Sequence, residues 1–163
     1  MIDLETALRQ ANLSLQRIDH PAVFSCEEAL EKCPPMPGAR TKQLLLQEKK
    51  GDRVLLVIVM HDKKIDLKKF AKNLSAKELT FADEELMMQL LHVTPGSVTP
   101  LGLLFDQDHR IEIYIDQDAW NIGKFQFHPL INTATLLMAR EDLQKWLTYT
   151  GHGITSVIIP RKN

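Results

Sequence analysis

Apolar positions recur at helical spacing in five segments and alternate or run together in others. Leu4, Ala7, Leu8 and Ala11 share one face of a helix predicted over residues 3–12. Ser25 followed by Glu28 is a capping-box signal for a second short helix ending near Lys32. Residues 66–74 turn Leu67, Phe70, Ala71 and Leu74 inward and Lys68, Lys69 and Lys72 outward. Residues 82–91 form another helix with Leu86, Leu90 and Met87 inward. A last helix over 141–150 stops at Gly151, because a helix C-terminus favours the left-handed conformation that glycine tolerates.

The other segments read as strands. In residues 41–48, Lys42, Leu44 and Leu46 fall on one face and Gln43 and Gln47 on the other. Residues 54–59, Val-Leu-Leu-Val-Ile-Val, are apolar on both faces and predict a central strand. Lys49-Lys50-Gly51-Asp52 joins the two as a hairpin turn, with Gly51 expected at the positive-φ position. Further strands are expected at 101–105, 110–115, 124–127, 133–138 and 155–159. Cys33-Pro34-Pro35-Met36-Pro37-Gly38 can be neither helix nor inner strand and lies at the entrance of the Lys42 strand. Interleaved helices and hairpins predict an α/β (α+β) domain with a mixed sheet, one domain over residues 1–163, and not a doubly wound parallel sheet.

Composition narrows the class. The chain has 163 residues, 44% hydrophobic and 25% charged, as an ordinary globular protein does. No apolar run approaches the roughly 18 residues that span a bilayer, and the first residues lack a signal peptide's basic and apolar regions. A cytoplasmic protein with no membrane partner is expected. Cys26 and Cys33 have no zinc spacing, and the histidines are scattered without an HExxH pattern, so neither metal nor cofactor is expected. The net charge is −1, so a nucleic-acid partner would have to meet a local basic patch or an end-recognition pocket. Lys63, Lys64, Lys68, Lys69, Lys72 and Lys77 form the only basic cluster; it reads either as a phosphate grip or as a solvated helix face.

Four places could carry chemistry. Lys42 is a cation at the end of an apolar row, which costs desolvation unless an anion meets it or the chain snorkels to water. In Gly96-Ser97-Val98-Thr99-Pro100, glycine permits close backbone approach to a ligand and proline stiffens the exit; it is no P-loop, and an ordinary turn is the simpler reading. His128 is held extended by Pro129 and, with Asn132 and Thr133, could position water or a substrate oxygen; a packed turn histidine is the alternative. Gly151-His152 reads most simply as a helix cap. No serine, histidine and aspartate set and no nucleophile elbow is present, so hydrolysis here would lack a conventional protein nucleophile.

Four blocks in order carry a family resemblance: His20-Pro21-Ala22-Val23-Phe24 with Glu27-Glu28-Ala29; Pro37-Gly38 with Thr41-Lys42; Phe81-Ala82 through Gly96–Pro100; and His128-Pro129-Leu130 with Asn132-Thr133, then Gly151-His152. Together they resemble the freestanding prolyl-tRNA editing proteins of the YbaK/prolyl-tRNA synthetase-associated domain superfamily, nearest the bacterial Ala-tRNA(Pro) deacylases. Departures bear on amino-acid preference: Gln43 and Leu45 replace a common Asn and aromatic, Arg40 stands where His is frequent, and Gly153-Ile154 stands where proline often follows soon.

The resemblance implies a mixed, barrel-like sheet ringed by helices. It also implies trans-editing of mischarged tRNA(Pro), most directly Ala-tRNA(Pro), by water attack on the aminoacyl ester with help from the tRNA 2′-hydroxyl. On this likeness Lys42 is catalytic. Gly96, Ser97, Val98, Thr99 and Pro100 line a small pocket, His128 forms its opposite wall, and Asn132 and Thr133 support it. Gly151 and His152 would touch the pocket or the tRNA, and Lys68, Lys69 and Lys72 the phosphates. Prolyl-tRNA synthetase and an elongation factor are candidate partners, with delivery of the substrate by either left open. Competing readings are a deacylase for Ser-, Thr-, Cys- or 2-aminobutyryl-tRNA, a non-catalytic oligonucleotide or tRNA binder, and a small-ligand regulator.

Overall fold

The computed structural model describes residues 2–24 and 26–163, with the backbone alone at Cys26 and Leu30. Its scaffold is the antiparallel pair β2, Thr41–Glu48, and β3, Val54–Met60. β3 continues in parallel to β5, Ile111–Asp116, which continues in parallel to β8, Thr155–Val157. The short β4, Leu79–Phe81, closes the other edge by pairing antiparallel with residues 46–48 of β2. A second, antiparallel sheet has the order β1–β7–β6, from Gln16–Asp19, Ala134–Ala139 and Lys124–Phe127. The expected mixed sheet is built as two sheets, bridged where Ala39 meets Phe125. The mixed α/β class holds.

β3 is apolar throughout because both of its faces are covered. Leu56 and Ile58 join Leu45, Ile113, Phe125, Phe127, Met138 and Trp146 in a core between the sheets. Leu55, Val57 and Val59 face the other way, toward Leu46 and α3 (Leu67–Asn73), which contributes Phe70 and Ala71. Asp66 caps α3 by accepting from the Lys69 amide. The remaining helices are α1 (Leu4–Gln10), α2 (Cys26–Lys32), α4 (Glu84–Leu91), α5 (Gln117–Ile122) and α6 (Arg140–Thr150). Ser25, the expected first member of the capping box of α2, lies outside the described residues. α6 ends at Gly151 with φ 85°, as its glycine predicts. Among the described residues no helix is long and apolar enough to cross a membrane.

Several expectations need correction. Residues 101–105 are not a strand but part of a 3-10 helix, Pro100–Phe105. Thr99 starts it by accepting from the Leu101 amide, and Pro100 presets the first φ. A short run of buried apolar residues has no period that separates strand from helix. β1 and α5 had no counterpart in the apolar pattern. In the β2–β3 turn the positive φ belongs to Lys50, at 60°, not to Gly51. Gly51 is needed instead for space: an added Cβ would stand 2.6 Å from the Glu48 carboxylate. That carboxylate accepts from the amides of Arg53 and Lys77, which holds it below the usual carboxylate range.

Lys63 does not belong to the exposed lysine face. Its ammonium is buried, 2.9 Å from Asp116 Oδ2 and 3.0 Å from the Ile159 carbonyl. Lys63→Ala would strand a buried carboxylate and is expected to cost about 3–5 kcal/mol in urea unfolding. The double variant Lys63→Met/Asp116→Leu should recover most of that loss; no recovery would mean that the pair's value lies in packing rather than in charge.

Candidate active site

Three consecutive residues, Thr41, Lys42 and Gln43, line one cavity of about 390 Å³. Neighbours on a strand point to opposite faces, so they can share a cavity only beyond an edge or an end. β4 pairs only with residues 46–48 of β2, leaving the outer edge of residues 41–44 uncovered by a strand. Lys42 pairs across from Val59, in the row of Leu44 and Leu46 that faces α3. Gln43 belongs to the row of Leu45, facing the other sheet. The apolar row therefore runs as expected, but the cavity draws on both rows. Among the described residues, the Lys42 ammonium makes no hydrogen bond or ion pair.

Facing Lys42 is the segment after α4. α4 ends at His92, whose φ of 55° lets its ring stack 3.8 Å from Phe105. The Ser97 amide donates to the Thr94 carbonyl and folds the loop tightly, with Gly96 at φ 90°. Gly96 and Val98 line the cavity. Ser97, Thr99 and Pro100 are buried behind it, where the Pro100 carbonyl accepts from the Trp146 indole at 2.9 Å. The five loop residues thus divide into two that face the cavity and three that build its back. Among the described residues no acceptor claims the Gly96 or Val98 amide.

The third wall is His128, at the end of β6. Its Nδ1 lies 3.0 Å from the Ala134 carbonyl, which can only accept, so Nδ1 carries the proton and Nε2 the lone pair. Burial pushes the imidazole below the usual histidine value; the Ala134 hydrogen bond opposes this, and His20, its ring 6.1 Å away, adds to it. Val23 and Phe24 complete the rim. Their segment is pinned by Asn132, whose Nδ2 donates to the Val23 carbonyl and whose carbonyl accepts the Val23 amide. The Thr133 carbonyl accepts the His20 amide, and His20 Nε2 accepts from the Thr135 hydroxyl at 2.8 Å. Asn132 and Thr133 accordingly support the wall and do not line it.

Other expected residues lie elsewhere. Gly151 and His152 border a separate depression beside β5, where His152 Nε2 lies 2.9 Å from Asp106 and Nδ1 2.9 Å from the Thr150 hydroxyl. This contact ties the end of α6 to the turn before β5. Lys68 and Lys72 border a groove along α3 with Lys77, and Lys69 is exposed next to it. Val23, Phe24, Ala29, Thr41 and Gln43 also line the cavity, although the sequence did not single them out as pocket residues. Phe24, 68% exposed beside Gly96, had the strongest signal of these, as the aromatic that closes the His20–Phe24 block. Among the described residues no three His, Cys, Asp or Glu side chains converge as a metal cage would.

On this two-sheet α/β domain the cavity thus brings together a cation and two backbone amides without partners among the described residues, and a histidine whose charged form burial disfavours. The family is that of the aminoacyl-tRNA editing domain, whose model matches residues 20–146, and the chain belongs to it. The chain is 35% identical over 159 residues to prolyl-tRNA synthetase associated domain-containing protein 1 of Danio rerio, covering 96% of this chain and 85% of the relative. It is 29% identical over 150 residues to the prolyl-tRNA editing protein ProX of Acetoanaerobium sticklandii, covering 92% of each. A solved structure described as a candidate trans-editing enzyme for prolyl tRNA synthetase has the same fold, at a TM-score of 0.72 and 20% identity over 98% of this chain and 95% of that one. The protein is an aminoacyl-tRNA deacylase.

Proposed function

We propose that this enzyme edits tRNA(Pro) in trans and removes alanine from it. The observation that carries the reading is Lys42, a cation without a partner among the described residues, in the wall of a cavity that it shares with Gly96, Val98 and His128. The names of the relatives from Danio and Acetoanaerobium point to prolyl-tRNA. A synthetic site built for proline cannot strongly reject a smaller amino acid, so a second site that admits the smaller one is the physical remedy.

The chemistry needs little from the protein, because an aminoacyl ester is already activated. Water adds to the ester carbonyl, and the carbonyl oxygen takes the negative charge. Collapse breaks the acyl bond to the terminal ribose, whose oxygen leaves with a proton. The products are free alanine and tRNA with intact 2′- and 3′-hydroxyls. The 2′-hydroxyl beside the ester relays the proton between water and leaving oxygen. On this reading the amides of Gly96 and Val98 steady the oxyanion or the water, and Lys42 holds the terminal nucleotide or the developing charge. His128 Nε2, a lone pair on a neutral ring, accepts from the alanine ammonium. Lys68, Lys69 and Lys72 lie on the α3 side of the sheet, the side of the Lys42 row, and would meet phosphates of the acceptor stem.

The test is release of alanine from Ala-tRNA(Pro) by the purified protein, with Pro-tRNA(Pro) beside it. Rapid loss of alanine with prolyl ester intact is expected. Stable Ala-tRNA(Pro) would sink the alanine assignment, and seryl, threonyl, cysteinyl and 2-aminobutyryl esters would then find the accepted side chain.

A further inference from the structure

Next to the Lys42 cavity, and sharing Thr41, Gln43 and His128 with it, lies a smaller cavity of about 70 Å³ that reaches Arg40 and Cys33. Beyond it lies a second chamber of about 310 Å³, under the proline-rich loop that leads into β2. Ala29 of α2 borders all three spaces, which makes α2 their common wall. We propose that this chamber holds the nucleotide preceding the aminoacylated adenosine, with Arg40 contacting the phosphodiester between them. The inference rests on the deacylase reading of the Lys42 cavity and extends it from the ester to the single-stranded 3′ end.

Charge is the first argument. Among the described residues no aspartate or glutamate borders any of the three spaces, whereas Lys42 borders the first and Arg40 the other two. Arg40 is half-buried, and among the described residues its guanidinium has no hydrogen bond or ion pair. A planar fork of five donors left unmatched in a cleft calls for an anion, and phosphate suits that fork. In an aminoacylated 3′ end the phosphodiesters are the only fixed anions. Arg40 and Lys42 are two residues apart on extended chain, the Arg40 carbonyl continuing the ladder to the His61 amide, so they stand about 7 Å apart along the strand. Two cations in that arrangement can follow a strand of nucleic acid from one unit to the next.

The walls fit a base. Pro34, Pro35 and Met36 present a stiff apolar surface to the chamber. Gln126 Nε2 donates to the carbonyls of Met36 and Pro37, at 3.2 Å each, which fixes the amide and leaves Oε1 as its acceptor. An exocyclic base amine is the matching donor. Burial holds the Cys33 thiol above its usual range, so at neutral pH it adds no competing negative charge. An amino-acid side chain alone would use neither the guanidinium nor the amide.

The experiment compares binding of unacylated CpCpA and of adenosine to the full chain by calorimetry, in the wild type, Arg40→Gln and Arg40→Lys. The wild type is expected to prefer CpCpA by about ten- to a hundred-fold. Arg40→Gln should collapse that ratio and reduce the slope of log affinity against log salt by about 0.7. Arg40→Lys, which keeps the charge and loses the fork, should fall between. Equal binding of CpCpA and adenosine by the wild type would overturn the proposal, as would an Arg40→Gln protein of unchanged melting temperature with undiminished preference. An Arg40-dependent preference for CpCpA in a protein that fails to release alanine would uphold the subsite and reject only the alanine assignment.

Discussion

Lys42→Ala is expected to lower kcat/KM for Ala-tRNA(Pro) by about 10²–10³-fold, the size associated with losing one electrostatic group at the reacting centre. The fold should hardly notice. Lys42 is half-buried at the start of β2, and its ammonium has no partner among the described residues that removal would orphan. Substitutions of that kind usually stay within about 0.5 kcal/mol. This separates Lys42 from the buried Lys63, whose loss should cost stability because Asp116 depends on it. The split between kinetic parameters locates the charge. A rise in KM alone would place the ammonium on ground-state phosphate, and a fall in kcat would place it on charge that develops during ester cleavage. Lys42→Arg restores the charge with different reach and should recover part of a KM effect. A Lys42→Ala enzyme retaining more than a third of wild-type kcat/KM would remove Lys42 from the machinery.

The sequence made Lys42 conspicuous because a cation closes an apolar row, and that oddity survives in the structure. The cavity around it was less legible, because its walls come from segments far apart in the chain. Val23 is placed by Asn132, 109 residues later, and His20 by Thr135, 115 residues later. No local pattern announces such pairings. The Gly96–Pro100 segment was visible as a turn, but its division into cavity-facing Gly96 and Val98 and buried Ser97, Thr99 and Pro100 depends on the 3-10 helix and on Trp146 of α6. β1 was hidden for another reason. Gln16-Arg17-Ile18-Asp19 has an exposed, polar pattern and is a strand because β7 offers it a ladder. The helices were easier, since α3 and α6 carry their periodicity and their ends within themselves. His152 illustrates the limit of reading position as role: its nitrogens are engaged by Asp106 and Thr150, in a contact that fastens α6 and leaves the Lys42 cavity untouched.

Replacing His128 by alanine should expose prolyl ester to hydrolysis. The ring lines the Lys42 cavity and borders the smaller cavity next to it, so its loss would enlarge the space proposed for the acyl group. One methylene of fit is worth about 10–200-fold in discrimination, and an imidazole is considerably larger than that. Hydrolysis of Pro-tRNA(Pro) by His128→Ala is therefore expected to rise at least about tenfold above the wild type, with alanine release slowed by the lost contact to the ammonium. The pH profile separates contact from mere bulk. Burial keeps folded His128 below the ordinary value of 6.5, so Nε2 stays a free acceptor at neutral pH and somewhat below it. Wild-type kcat/KM should hold as pH drops past 6.5 and fall only as pH passes through the depressed folded value; His128→Ala should lack that acid limb. Stability carries the same signature with a defined sign. Below 6.5 the unfolded chain binds a proton at His128 that the folded chain resists, so the contribution is intact above 6.5, shrinks as pH falls, and levels off below the folded value. His128→Ala should flatten that part of the stability curve. His128→Asn, smaller but still an acceptor, should admit proline while keeping more of the alanine rate. If His128→Ala leaves Pro-tRNA(Pro) intact, the size limit belongs to Val98 and Val23 instead, and the imidazole serves the ammonium alone.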